Sequence, residues 1–408
     1  MGNSIGSAGW VRRAGHRRAV IGGHGRTTLL ASAFRQRHNL ALGVASEIVA
    51  PLLKPIARAL AKGNASRPEE WRRGLIIAHN HIGDVLYRTP SLQALREGLP
   101  GCEWSFLTSP TGAEVLENNP HVAEVLPWNR GDSSWDLNRE QRRKLASRHF
   151  DVALCTNTLR HYPDFMLATA LRIPNRVGFT YKGLSGLITH PVAIDFPSPY
   201  AGYFRTMVGD LIGKSPDWSL TPELFLDESD AREAQRVLGS MAFSGDRPLL
   251  ACSLTTRQAR GNWPVGFMVE VLREMRKLGV VDMVLCGGPG DGRALTDIAG
   301  TIGENVSVTA GELTVRGFAA LLRKCAALFT LDSGPRHLGN AVGVRVVFAR
   351  NMSHSRVEAG KYCSTETDIA PAGEYLNDAE IQELAAATSV SECARRLTEV
   401  TISGAVRA

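Results

Sequence analysis

The residues best suited to chemistry in this sequence lie in short polar stretches that directly follow apolar runs. The clearest is Asp332-Ser333-Gly334, which follows the apolar run 326–331 and precedes a helix-like segment containing His337. A strand that turns into a helix presents unpaired backbone N–H groups and the positive end of the helix dipole at its carboxyl end. The stretch therefore predicts an anion site. The alternative is an ordinary turn, with Ser333 as the N-cap and Gly334 relieving the backbone.

Two further polar loops follow apolar runs in the same half of the chain. Thr255 and Thr256, with Arg260 close behind, offer hydroxyl and guanidinium groups that suit phosphate oxygens. Gly288 permits close approach of the backbone, and Asp291 could hydrogen-bond a ribose diol. Loops favour such residues in any case. Their coincidence at successive strand ends nevertheless predicts a pocket for a nucleoside diphosphate.

In the first half, the loop after the first apolar strand ends in Asp84. A carboxylate at the start of a helix is favoured by the helix dipole, so Asp84 could be purely structural. The alternative is a general base that faces a cleft. His79 and His81 flank it and could bind a metal with it, but the second half supplies no matching ligand cluster. We therefore expect no metal.

Missing motifs and the cysteine pattern exclude other classes of protein. Neither half has a Walker phosphate loop or a Gly-x-Gly-x-x-Gly segment at its first helix, which disfavours a kinase or a dehydrogenase. The seven cysteines are dispersed without Cys-x-x-Cys spacing. This predicts free thiols in a reducing compartment, for which the cytoplasm fits best.

These residues require a scaffold in which apolar strands alternate with helices. Such a pattern begins at Arg73, with strands predicted at 75–78, 104–107, 122–126 and 151–155 and helices at 85–97, 112–118, 139–148 and 203–213. It restarts after a linker at 214–222, with strands at 249–254, 280–286, 306–308, 326–331 and 344–349 and helices at 265–278, 293–302 and 315–324. Continuous apolar strands of this kind indicate parallel sheets covered on both faces. The sequence predicts an α/β protein with two doubly wound units and a ligand cleft between them.

The positive charge is concentrated at the N-terminus. Residues 1–73 contain thirteen Lys and Arg but only three Glu, whereas the chain as a whole carries a net +7. No run there is long or apolar enough to span a membrane, and no signal sequence is evident. Three interpretations stay open for this arm: a disordered or mistranslated leader, an interfacial segment attracted to anionic lipid, and an organelle transit peptide.

Taken in order, the motifs resemble the glycosyltransferase family 9 enzymes, the ADP-heptose:lipopolysaccharide heptosyltransferases. The resemblance covers residues 74 to 350 and keeps the order of the family's motifs. The matching stretches are Ile82-Gly83-Asp84-Val85-Leu86, Thr89-Pro90, Glu117-Asn118-Asn119-Pro120-His121-Val122, Arg176-Val177-Gly178-Phe179, Thr255-Thr256, Trp263-Pro264, Gly287-Gly288-Pro289 and Asp332-Ser333-Gly334-Pro335-x-His337-Leu338.

The resemblance implies a GT-B fold, with an acceptor domain at 74–213, a donor domain at 223–375 and a C-terminal helix and tail at 376–408. In that fold the helix often crosses back to the first domain, and 376–397 is the candidate. Asp84 would be the general base. Thr255, Thr256 and Arg260 would hold the diphosphate, with Gly288 and Asp291 near the ribose. Asp332, Ser333, Gly334 and His337 would complete the donor site.

The resemblance also implies an inverting, metal-independent transferase without a cofactor, whose donor is a nucleotide sugar such as ADP-heptose. The acceptor would be a lipid-linked or surface glycan, the arm could meet an anionic membrane surface, and no nucleic-acid partner is expected. We expect a cytoplasmic protein, at the inner face of the cytoplasmic membrane if the arm binds lipid. The alternatives are a transferase of the same fold with another nucleotide sugar and a non-catalytic nucleotide- or glycan-binding protein.

Two departures from the family pattern bear on the donor site. The lysine expected just before Trp263-Pro264 is absent, and Arg260 lies one position further away with Gly261-Asn262 between. The usual Phe-Gly turn after the strand 344–348 is replaced by Ala349-Arg350-Asn351. The cation for the phosphate and the identity of the sugar therefore stay open.

Overall fold

A computed structural model describes residues 64–78, 81–128, 139–156, 162–179, 185–193, 198–241, 243, 245–256, 260–304 and 306–405, with a few isolated positions between 52 and 61. Most of the basic arm lies outside these residues, so the three interpretations of it stay predictions. Its last part belongs to the first domain, because Trp71 is 1% exposed and the backbone N–H groups of Arg72 and Arg73 both donate to Asp151. Residues 71–73, just before the expected start of the acceptor domain at 74, therefore pack on that domain.

The first domain contains a six-stranded, all-parallel sheet in the order β3-β2-β1-β4-β5-β6. Its strands are β1 (Arg73–Ala78), β2 (Glu103–Thr108), β3 (Glu124–Pro127), β4 (Val152–Cys155), β5 (Asn175–Phe179) and β6 (His190–Val192). Its helices are α1 (Ile82–Leu86), α2 (Leu92–Gly98), α3 (Pro110–Leu116), α4 (Arg139–Ala146), α5 (Tyr162–Ala170) and α6 (Gly202–Ile212). Short 3-10 turns occupy Pro68–Glu70, Thr89–Ser91 and Ser185–Leu187.

The second domain repeats the plan with a parallel sheet in the order β12-β11-β10-β7-β8-β9. Its strands are β7 (Leu249–Ser253), β8 (Asp282–Gly287), β9 (Val306–Ala310), β10 (Ala327–Leu331), β11 (Arg345–Ala349) and β12 (Glu366–Asp368). Its helices are α7 (Glu228–Gly239), α8 (Val265–Lys277), α9 (Gly292–Ile302), α10 (Val315–Leu322), α11 (Gly334–Ala341), α12 (Arg356–Ala359), α13 (Asp378–Ala387) and α14 (Val390–Ala405). The predicted α/β class with two doubly wound units is confirmed.

The single helix predicted at 85–97 is wrong, because the segment is broken into α1, a 3-10 turn and α2. Pro90 has no N–H to donate to the preceding turn, and the hydroxyl of Thr89 donates to the carbonyl of Leu86 instead. The break keeps α1 to five residues and leaves Asp84 in its first turn.

The described C-terminal residues 376–405 pack on the second domain, whereas the resemblance implied a helix that crosses back to the first. Buried side chains of α13 and α14, such as Ile381 and Leu397, join the same apolar cluster as the inner residues of β7, β8 and β10. A Cβ added at Gly404 would lie 2.1 Å from the carbonyl oxygen of Ala326, so α14 ends tightly against the second sheet. This close fit, with α14 also packed along α8, explains why the segment stays with the second domain.

The state of the cysteines and the character of the helices can be compared with what the sequence predicts. All seven cysteines are buried free thiols, as predicted. Among the residues described, no helix combines the length and apolar character needed to cross a membrane.

Candidate active site

The three polar loops of the second domain lie side by side at one edge of its sheet. β10, β7 and β8 are consecutive neighbours in the parallel sheet, so the loops that follow them leave from the same edge. The carboxyl ends of such strands are the common ligand site of doubly wound sheets. The fold thus brings together the loops that carry Asp332, Thr255 and Asp291.

Two of these loops are joined by hydrogen bonds to one carboxylate oxygen. Oδ2 of Asp291 accepts from the hydroxyl of Thr255 at 2.9 Å and from the backbone N–H of Gly288 at 2.8 Å. Asp291 therefore holds the glycine turn closed against the end of β7. Thr256 follows directly and is half-buried.

The third loop places Asp332 and Ser333 at the N-terminus of α11. Ser333 is the N-cap residue, but its hydroxyl donates weakly to the carbonyl of Leu331 and makes no cap hydrogen bond to the helix. The first turn of α11 thus lacks a side-chain cap, which favours an anionic ligand there. The alternative of Ser333 as a capping side chain is not what the structure shows.

His337 lies one turn further along α11 and is 4% exposed. Its Nδ1 shares a hydrogen bond of 2.7 Å with the hydroxyl of Tyr362, and the ring of Tyr87 from the first domain contacts it edge-on, with centroids 4.5 Å apart. Burial, reinforced by the charge of Arg336, lowers the pKa of His337 well below its usual value. The imidazole is therefore neutral near pH 7 and acts as a hydrogen-bonding group.

Asp84 lies in the first turn of α1, half-buried. Arg88, four residues later, is 4% exposed; one of its Nη atoms donates to the backbone carbonyl of Asp84, and its other N–H groups donate to the hydroxyl and carbonyl of Thr156. Burial lowers the pKa of Arg88, while the charges of Asp84 and Asp164 act in the opposite direction. Arg88 thereby ties the first turn of α1 to the end of β4.

The two helix N-termini meet across the domain interface. A Cβ added at Gly83 would lie 2.3 Å from Cδ2 of His337, and one added at Gly334 would lie 3.6 Å from Cβ of Ile82. The close approach at Gly83 leaves no space for a side chain. Asp84 is consequently adjacent to the helix that carries His337 and Gly334.

Arg260 is placed differently from the other predicted donor residues. Its side chain is exposed, and its carbonyl accepts from Asn351 Nδ2 at 3.1 Å. The next residue, Gly261, has φ +80°, donates to Asp378 and lies too close to Asn351 and Ser353 for a Cβ. The loop after β7 is thus bound to the loop after β11, where the sequence departs from the family pattern.

Within the described ranges no three His, Cys, Asp or Glu side chains cluster as metal ligands do. His79 lies outside those ranges, so the expectation of no metal at Asp84 stays a prediction. His81 is exposed and precedes α1 as its N-cap residue.

Four residues of the site were missed by sequence reasoning: Arg88 and Arg336, which are buried, and Tyr87 and Tyr362, which are half-buried. Arg88 and Arg336 each stand four positions after a predicted site aspartate, a spacing that places two side chains on one helix face. That spacing is a signal that could have found them. Tyr362 is 25 residues from His337, and only the fold brings the two together.

Comparisons with known proteins agree with this geometry. A model of glycosyltransferase family 9 (heptosyltransferase) matches residues 139–349, more than half of the chain. Among curated proteins, the chain is similar to lipopolysaccharide heptosyltransferase 2 of Salmonella typhimurium, with 21% identity over 283 residues that cover 66% of this chain and 79% of that protein.

Two solved structures share the fold. The family 9 glycosyltransferase of Veillonella parvula superposes with a TM-score of 0.69 at 20% identity, covering 81% of this chain and 98% of that chain. The ADP-heptose lipopolysaccharide heptosyltransferase II of E. coli superposes with a TM-score of 0.64 at 17% identity, covering 81% and 99%. These likenesses confirm the GT-B architecture that the motifs predicted.

Proposed function

This chain belongs to glycosyltransferase family 9, and we propose that it transfers heptose from ADP-heptose to an acceptor of the lipopolysaccharide core with inversion at the anomeric carbon. One observation carries the proposal: the first turn of α1, which holds Asp84, packs directly on the N-terminus of α11, which holds the predicted donor residues. An acceptor hydroxyl beside Asp84 would therefore lie next to a donor bound at α11. The names of the similar proteins, two of which are heptosyltransferases, support the choice of sugar.

We propose that the donor diphosphate binds at the uncapped N-terminus of α11. The backbone N–H groups of the first turn and the helix dipole favour an anion at this point. The exposed guanidinium of Arg260 could reach the same ligand from the loop after β7 and would replace the lysine of the family pattern. Thr255, Gly288 and Asp291, already linked by hydrogen bonds, would form the neighbouring wall near the ribose.

The chemical step assigned to Asp84 is proton removal. The acceptor hydroxyl oxygen forms a bond to the anomeric carbon while the bond from that carbon to the diphosphate oxygen breaks, and the hydroxyl proton passes to the Asp84 carboxylate. The negative charge that develops on the leaving ADP is stabilised by the α11 N–H groups and by a cation. In this scheme no metal is needed, because helix-end dipoles and Arg260 supply the positive potential.

The acceptor and the location of the enzyme follow from the same proposal. Lipopolysaccharide core acceptors are lipid-linked, so the reaction would take place at the cytoplasmic face of the membrane, with the basic arm as a candidate contact to anionic lipid. Deletion of residues 1–63 should then weaken binding to anionic liposomes without slowing transfer to soluble acceptors. Unchanged binding to those liposomes would contradict the role of the arm.

The first test is calorimetric titration with ADP, UDP and GDP in the presence of EDTA, using the wild type and Asp332→Ala. Selective ADP binding that is lost in the variant is the expected result. Transfer from ADP-heptose and the anomeric configuration of the product, read by NMR, would then test the reaction itself. Binding of another nucleotide would change the donor, and absence of binding by any nucleotide would favour a non-catalytic protein.

A further inference from the structure

Arg336 is a fully buried charge directly beneath the proposed donor site. Its side chain is 0% exposed and donates to Oδ1 of Asp332 at 2.7 Å, to Oε1 of Glu366 at 2.6 Å, and to the carbonyl oxygens of Ala359 and Gly360 at 2.9 and 2.6 Å. The guanidinium also stacks over the ring of Phe348, 3.6 Å from its centroid. With its donors used in this way, Arg336 cannot itself serve as the main phosphate ligand.

Glu366 is equally buried and is satisfied from several sides. Besides Arg336, its carboxylate accepts from Nδ2 of Asn340 at 2.7 Å and from the backbone N–H groups of Tyr362 and Cys363 at 2.8 and 3.2 Å. The pair therefore fixes the backbone of the segment 359–363. That segment carries Tyr362, whose hydroxyl holds the imidazole of His337.

The charges in this cluster differ in what they need from Arg336. Glu366 has three other hydrogen-bond donors, whereas Arg336 is the cation that the structure pairs with Asp332. An Asp332 carboxylate without that cation would repel a diphosphate bound at the start of α11. Neutralising Asp332 is thus as important as orienting it.

On the basis of the proposed function, we propose that Arg336 and Glu366 are positioning residues of the donor site. Arg336 neutralises and orients Asp332, and Glu366 holds both Arg336 and the segment through which Tyr362 aligns His337. Neither residue contacts the donor. Their removal should therefore raise the Kd for ADP and the KM for the donor while the KM for the acceptor stays unchanged.

The chain contains a matched control for this test. Arg350 is also 0% exposed and pairs with Asp368, at 3.2 Å, on the same short strand β12 that carries Glu366. Its remaining hydrogen bonds go to the carbonyl oxygens of Pro371 and Gly373, and no donor-site side chain is among its partners. Because Arg350 precedes Asn351, which holds the loop of Arg260, loss of this pair should lower stability with a much smaller change in donor affinity than loss of the Arg336 pair.

The experiment compares Arg336→Met/Glu366→Gln with Arg350→Met/Asp368→Asn, measuring the Tm, the Kd for ADP and both KM values. Each double variant removes an arginine together with its buried carboxylate on β12, so neither Glu366 nor Asp368 is left without a cation; the first variant also leaves Asp332 un-neutralised, which is the effect under test. We expect both to lower the Tm, the first to raise the Kd for ADP by about tenfold, and the second to raise it much less. Arg336→Lys, which keeps the charge but cannot bridge four acceptors, should recover part of that loss.

An unchanged Kd for ADP in Arg336→Met/Glu366→Gln, or an equal rise in the Arg350 control, would overturn the positioning role while leaving the proposed function intact. Failure of the wild type to bind ADP would instead overturn the proposed function and this inference with it.

Discussion

Each domain of this protein places an aspartate after an inner strand and a buried arginine four residues later. In the first domain Arg88 donates to the backbone carbonyl of Asp84, whereas in the second Arg336 donates to the carboxylate of Asp332. The same spacing thus serves two purposes. A general base needs a carboxylate that can accept a proton, and the hydrogen bond from Arg88 goes to the backbone carbonyl of Asp84. An aspartate beside an anionic ligand benefits from being neutralised, which suits Asp332.

The difference in role between Asp84 and Asp332 is tested most directly by removing the charge of each aspartate in turn. Asp84→Asn should reduce kcat by roughly a thousandfold, because an amide cannot take the proton of the acceptor hydroxyl. The Kd for ADP, measured by calorimetry, should stay within about twofold, a change of ~0.4 kcal/mol, since Asp84 is assigned to the acceptor and an amide of the same size leaves the start of α11 in place. Asp332→Asn should instead raise the Kd for ADP, because the amide loses the ion pair with Arg336 at the start of α11. If both variants changed the same parameter, the division of roles would be wrong.

Substitution of Arg88 and of Arg336 should change different quantities, the free energy of unfolding for the first and the Kd for ADP for the second. Arg88→Met removes a buried cation from three acceptors and should lower the free energy of unfolding by about 3 kcal/mol, measured with urea. The Kd for ADP of the folded fraction should be unchanged, in contrast to Arg336→Met/Glu366→Gln. A variant of Arg88 that lost ADP affinity but not stability would contradict the comparison.

The contact between the two halves can be tested at Gly83. In Gly83→Ala the new methyl group would lie 2.3 Å from the ring of His337, which Tyr362 and Tyr87 hold in place. We expect a loss of about 2 kcal/mol in the free energy of unfolding together with a reduced kcat/KM.

Gly300→Ala is the matched control for that variant, because nothing lies within 4 Å of a Cβ at this exposed position in α9. It should raise the free energy of unfolding by up to about 1 kcal/mol and leave kcat/KM unchanged. Equal effects of the two substitutions would mean that the interface at Gly83 does not matter.

The smallest effect expected is the contribution of His337 to the pH dependence of stability. The pKa of His337 is lowered in the folded protein, so its neutral form is favoured and the associated stability is present above the unfolded pKa near 6.5. Stability should fall as the pH drops below that value toward the folded pKa, by at most ~1.4 kcal/mol per pH unit. His337→Asn should flatten this part of the urea-unfolding profile. His121 and His190, whose pKa values are also lowered by burial, should still contribute to the pH dependence of the free energy of unfolding in the variant.

The sequence predicted the two sheets because their inner strands are continuous apolar runs, such as 249–253 and 327–331. It did not predict β12, since Glu366-Thr367-Asp368 has no apolar pattern and pairs only through its position beside β11. The prediction of one helix at 85–97 is wrong because the apolar spacing continues through Pro90, where the helix is broken.

The site was predicted unevenly for a similar reason. Asp84, Thr255, Asp291 and Asp332 stand at strand ends, which the alternation of elements locates directly. Glu366 lies thirty residues after Arg336, and no local pattern indicates that the two would pair. Glu366 and Tyr362 are brought to the site by the tertiary fold alone.

The contact between Gly83 and His337 has an evolutionary consequence. A Cβ at position 83 and an imidazole at position 337 cannot occupy the same space. Each position therefore restricts which residues the other can hold across the domain interface. A lineage that gained alanine or serine at the first position would have to exchange the histidine for a smaller residue. In an alignment of relatives, these two columns should covary more strongly than either does with its own neighbours along the chain.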